Sequence, residues 1–166
     1  MPVITNHKSF DEIHSNLLNH GDLSIVVIGC EDGARGCYTG GSKEVREIRN
    51  KIKASNLMFI EPEGMCDAVK EGLCDKTAVV DHFATLKKYN GEYQLLLLCC
   101  GAGLMTVMNI LPNVRIVPGL NTLGVGTEDQ LSCLCCGDCR FDDSGCHMRH
   151  VKKPQVDRLN DCYEKG

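Results

Sequence analysis

Leu23-Ser-Ile-Val-Val-Ile-Gly29 (LSIVVIG), followed at once by Cys30, decides how the rest of the chain is read. The run is short, β-branched and almost wholly apolar, which suits a strand covered on both faces. Leu57–Ile60 reads as a second buried strand. Tyr93–Cys99 (YQLLLLC) reads as a third, because Gly91 bounds it on one side and Gly101 and Gly103 on the other. Arg115–Val117 supplies a short fourth.

Helical spacing fills the gaps. Ser9-Phe10-Asp11-Glu12 has the pattern of a capping box, with Phe10, Ile13, Leu17 and Leu18 following on one face and Gly21 as the stop. Ser42 is placed to cap a helix running to about Lys53, with Val45, Ile48 and Ile52 inward. A loop and a short helical stretch lead to a helix from about Lys76 to Lys88, carrying Val79, Phe83 and Leu86. Leu104, Val107, Met108 and Leu111 mark a last helix ended by Pro112. The alternation β-α-β-α-β-α-β implies an α/β fold: a parallel sheet with right-handed crossovers and helices on both faces. From about Leu131 the apolar periodicity stops and cysteines crowd together. Residues 1–130 therefore read as the α/β domain and 131–166 as a cysteine-rich extension organised by metal.

The composition narrows the function. The 166 residues carry a net charge of −4 with both signs interspersed, so there is no basic footprint for nucleic acid. Four Tyr, four Phe and no Trp leave little aromatic surface on which bases could stack. Twelve cysteines stand out, and their meaning depends on the redox compartment. The first residues, MPVITNHKSF, lack the basic, apolar and small-residue series of a secretory signal. The longest apolar run, Leu95–Cys100, falls far short of the roughly 20 residues that span a bilayer. The expectation is a cytoplasmic chain without membrane insertion, whose thiols stay reduced and open to metals.

Two sets of cysteines carry the chemistry. Cys133-x-x-Cys136-x-x-Cys139 places three thiolates on one tight stretch, and Cys146 follows after six residues. That set suits a [4Fe–4S] cluster, although the fourth cysteine comes later than in the bacterial ferredoxin run. Tetrahedral zinc is equally served by one C-x-x-C pair with Cys146 and His150. Burial as plain apolar residues is the weaker reading, since this polar segment has no core to hold five sulfurs. Cys135 reads as a bystander.

The second set is dispersed, and the fold must bring it together. Cys30, Cys37, Cys66 and Cys100 all follow predicted strands, at the edge where open α/β sheets build their sites. Cys99, one residue earlier than Cys100, is expected to face the core. Glycines around these positions let backbone amides approach sulfur closely. The same glycines invite a nucleotide reading, but Gly33-Ala34-Arg35-Gly36 does not complete G-x-G-x-x-G, and Gly40-Gly41-Ser42-Lys43 has the wrong order for a P-loop. Cys74 and Cys162 stand alone and read as ordinary thiols; His7, His14 and His20 read as solvated and His82 as packing.

Read together, these pieces resemble the small cysteine-rich subunit, or C-terminal domain, of bacterial methylenetetrahydrofolate reductases. The resemblance runs from about Leu23 to His150. It rests on Gly29-Cys30 with Cys37 and Gly40-Gly41, then Lys43-Glu44-Val45, Cys66-Asp67, Cys100-Gly101-Ala102-Gly103 and Gly119-Leu120-Asn121-Thr122. Its most specific element is Cys133-x-x-Cys136-Gly137-Asp138-Cys139. The resemblance implies a flavodoxin-like α/β domain with a cysteine-rich extension, carrying one or two [4Fe–4S] clusters, zinc, or both. It also implies an obligate partner, a flavin-containing barrel reductase subunit, within a larger redox complex.

Two departures matter. Gly33 stands where the family usually has a further cysteine, which leaves Cys30, Cys37, Cys66 and Cys100 for one centre. Cys146 is followed by His147 instead of Pro and a later cysteine, so either His150 or Cys146 itself closes the second set. The competing functions are a structural zinc module without a redox role, a cluster subunit of a different redox complex, and a free-standing enzyme whose glycine loops hold a small cofactor.

Overall fold

The computed structural model describes residues 3–19, 21–31, 40–89, 92–126, 131–133 and 137–139. Its centre is a four-stranded parallel sheet of β2 (Ser24–Cys30), β3 (Ala68–Val69), β4 (Tyr93–Leu98) and β5 (Arg115–Pro118), in the order β3-β2-β4-β5. The LSIVVIG run and the leucine run are the two inner strands, paired from Ser24 with Tyr93 to Gly29 with Leu98. Every residue of β4 is buried, as a strand covered on both faces requires.

Helices cover both faces. One carries α1 (Phe10–Leu18) and α2 (Ser42–Ala54), whose Ile13, Leu17, Val45, Ile48 and Ile52 meet Ile25, Val27, Leu96 and Leu98. On the other, Val79 and Phe83 of α3 (Lys76–Phe83) and Val107 of α4 (Gly101–Ile110) meet Val26, Ile28, Leu95 and Leu97. Alternate strand residues thus feed two separate apolar layers. The Ser9 N-cap forms as expected, with Ser9 Oγ accepting from the Glu12 amide at 3.2 Å, while the Glu12 carboxylate pairs with Lys8. The expected Lys76–Lys88 helix instead tightens into a 3-10 helix over Ala84–Tyr89. Among the described residues no helix is long and apolar enough to cross a membrane.

Leu57–Ile60 departs from expectation. It gives only one parallel bridge, Ile25 to Phe59, with Ile25 N–H donating to Met58 and Ile60 N–H to Ile25. The next donor in that ladder would be residue 62, and Pro62 has no N–H. The Val27 carbonyl accepts instead from Arg49 Nη2 at 3.0 Å. The chain swings out and rejoins β2 only at Asp67, where Gly29 N–H donates to its carbonyl, and β3 follows.

A second sheet lay outside the expected alternation. β1 (Val3–His7), β6 (Leu120–Gly126), β7 (Leu131–Cys133) and β8 (Gly137–Cys139) pair antiparallel in that order. Gly119 links the two sheets: its N–H donates to Leu97 at 2.8 Å, and its carbonyl accepts from Lys8 at 3.1 Å.

Candidate metal centre

Parallel strands end together, so the loops after β2, β3 and β4 gather at one edge. Cys30 is the last residue of β2, buried, and its Sγ accepts from the Leu73 amide at 3.1 Å. Cys100 is the buried N-cap of α4. Cys99 packs into the α3–α4 layer, as expected for the residue before the turn. There Gly103 leaves it room: a Cβ on Gly103 would stand 3.2 Å from Cys99 Sγ and 3.0 Å from Leu73 Cβ. Leu73 therefore touches both thiol neighbourhoods and brings Cys74 with it.

Cys66 is placed differently. It is exposed, at the end of the excursion that precedes β3, and the carbonyl of the next residue, Asp67, accepts from Gly29, the last residue but one of β2. Because Val69 pairs with Cys30, Cys66 stands three residues short of the edge, up to roughly 10 Å along the strand. The structure thus brings Cys30 and Cys100 together with Cys99 and Cys74, and not with Cys66. Cys37 lies outside the described residues. So do Cys136 and Cys146, while Cys133 ends β7 and Cys139 ends β8. The backbone register pairs Cys133 with Gly137 and Leu131 with Cys139, which sets the two cysteines diagonally across one hairpin.

Burial is the main force on these thiols. It pushes the Cys30 thiol up to about 11; the Leu73 N–H opposes this, and Cys100 and Cys74 add to the rise. Cys99 is held well above the usual thiol range by burial first, then by Cys30, Cys100 and Cys74. Several thiolates cannot share this space without a cation. Two helix N-termini face the same edge, Gly41 at α2 and Cys100 at α4; neither cap residue bonds through its own side chain, and the first amide of α4, on Gly101, donates to Thr122 Oγ1 at 2.7 Å. Their partial positive charge favours thiolate and anionic clusters.

The donor set is soft and suits zinc or iron–sulfur chemistry. Among the described residues, no three His, Cys, Asp or Glu side chains already ring a common point. Cys30, Cys74, Cys99 and Cys100 lie within electrostatic reach of one another, and binding would have to draw them inward.

One consequence concerns pH. In the metal-free chain an unfolded thiol ionises near its ordinary value of 9.0, whereas folded Cys30 keeps its proton to about 11. Between those values the unfolded state holds fewer protons, so stability falls as pH rises. Cys30 alone contributes a loss of about 2 kcal/mol across that window. Urea unfolding of metal-free protein at pH 8 and pH 11 should show a steeper loss for the wild type than for Cys30→Ala. Equal losses would refute the assignment.

Comparison with family models, curated proteins and solved structures gives no match to this chain.

Proposed function

We propose that this chain is a cysteine-ligated metal subunit, an iron–sulfur accessory subunit of a methylenetetrahydrofolate-reductase-type flavoprotein complex. It relays electrons or holds that complex together. The observation that carries the reading is the gathering of Cys30, Cys99 and Cys100, with Cys74, where the parallel strands end. The strand order β3-β2-β4-β5 supports the flavodoxin-like part of the reading, since it follows the first four places of the order 2-1-3-4-5.

Cys30 and Cys100 would anchor the sheet-edge centre, and Cys133, Cys136, Cys139 and Cys146 the second. A cluster supplies one-electron transfer when bound. The protein supplies burial, the Leu73 N–H toward sulfur, and two helix ends that offset negative charge. Val80, Met105 and Met108 are exposed on the α3–α4 side, and uncovered apolar side chains are consistent with a chain that works against a partner. The short β7–β8 hairpin bearing Cys133 and Cys139 keeps structural zinc as the second reading for that set.

Co-purification from the native source should recover a flavin-containing barrel subunit. A pure monomeric chain that reduced methylenetetrahydrofolate alone would overturn the subunit reading. For the second centre, Cys136→Ser should remove one bound centre and leave residues 131–150 open to protease. Unchanged metal content and protease resistance in that variant would count against it.

A further inference from the structure

Helix α4 reads GAGLMTVMNI, without a charged side chain along its whole length. Its inner side gives Gly103 and Val107 to the core, with Leu104 and Ile110 packed against it. Its outer side carries Met105 and Met108, one turn apart and 57% and 46% exposed. Thr106 turns its hydroxyl onto the Ala102 carbonyl at 3.0 Å, so that group does not need water. A helix that is apolar all round belongs in an interior, with both sides covered. Val80 of α3, also 46% exposed, extends the outer patch. It forms part of the wall of a hollow of about 500 Å³, together with Phe83, Leu86, Tyr93, Ile110, Leu111 and Val114.

We infer that this α3–α4 face docks a second copy of the chain about a two-fold axis, the methionines of each copy entering the hollow of the other. No cysteine takes part, so the inference stands apart from the metal reading.

Two features favour a copy of itself as the occupant. The first is shape. Met108 stands two residues before Ile110, which lines the hollow, so protrusion and hollow lie side by side. A two-fold axis brings residue i of one copy to residue j of the other, and j to i. A face with its own knob and its own hole therefore complements itself. The second is charge. The chain carries −4, and a charged surface that meets its own image sets like charges together. Helix α4 has none to oppose, and Lys87 is the one charged residue among the described residues lining the hollow. Lys87 is exposed, and its long stem lets the ammonium stay in water. Interface cores are likewise depleted in charge and enriched in methionine, whose unbranched side chain adapts to an irregular hollow.

Sedimentation velocity of the full chain, kept reduced so that no intermolecular disulfide forms, should show a dimer that dissociates on dilution. Met108→Glu should weaken association about tenfold or more, because it drives a carboxylate into an apolar hollow. Met108→Leu should keep the dimer. Met58→Glu is the control, since Met58 is 52% exposed on the excursion before β3, and it should change nothing. Hydroxyl-radical footprinting of the wild-type chain needs no variant: Met105 and Met108 should be protected in the dimer and open in the monomer, with Met58 open in both. A chain that is monomeric at every concentration, or a dimer that Met108→Glu leaves intact, would overturn the inference. Protection of both methionines in the monomer would give the face to another segment of this chain, and cross-linking of a different protein to it would give it to that protein; either result also overturns it.

Discussion

Gly40→Ala is expected to cost the fold about 4 kcal/mol, part from left-handed backbone strain and part from steric conflict with fixed main chain. Gly40 has φ +89°, and a Cβ there would stand 2.0 Å from the Leu98 carbonyl oxygen. The fit is equally close below it, since a Cβ on Gly29 would stand 1.9 Å from the Gly40 oxygen. The segment entering α2 therefore lies flat across the ends of β2 and β4, beside Cys30 and Cys100. Neither contact is with a flexible side chain that can swing away. Gly64→Ala is the control: φ is +75° with nothing within 4 Å, so only the backbone term of about 1 kcal/mol applies. Urea unfolding followed by circular dichroism separates the two. Equal costs for both variants would mean that the segment does not press on the sheet.

Asp67→Ala should be nearly as damaging, at about 3 kcal/mol, because it strands a charge inside. Arg49 lies on α2 and is 6% exposed. Its Nη1 binds Asp67 Oδ1, its Nη2 donates to the Val27 carbonyl, and its guanidinium lies 5.8 Å from the Phe59 ring centre. Among the described residues, removing the carboxylate leaves Glu61, 3.7 Å from Nη1 and largely exposed, to compensate. A combined Asp67→Leu and Arg49→Met variant should recover most of the loss, since an apolar pair replaces both charges. A double variant less stable than Asp67→Ala would show that the ion pair stabilises the fold by more than mutual neutralisation.

The inner strands were legible because burial on both faces leaves an uninterrupted apolar run, as in Ile25–Ile28 and Leu95–Leu98. The Ser9 cap was legible because its partner, Glu12, lies three residues away. The second sheet was not. β1 reads VITNH and β6 reads LNTLGVG, with Asn, Thr and Gly breaking any period, and their pairing slips register between Ile4 and Thr5. The second expected strand failed for a different reason. Leu57–Ile60 has the right composition, but Pro62 ends its ladder and Arg49, from another element, takes the Val27 carbonyl. That single shift moves the edge loop from Cys66 to Cys74, which spacing could not foresee. Cys74 looked solitary because its neighbours are distant in sequence; only the parallel register places Val69 beside Cys30.

The central claim is that this chain is built to hold metal through cysteine. Its most direct test is iron, acid-labile sulfide and zinc analysis of the full chain purified under strict exclusion of oxygen. The same sample should then be examined by electron paramagnetic resonance after reduction. The account predicts bound metal in whole-number ratio to protein, reduced by Cys30→Ser with Cys100→Ser and separately by Cys136→Ser. A folded chain that carries no metal, takes up none on reconstitution, and shows all twelve cysteines open to alkylation once denatured would contradict it.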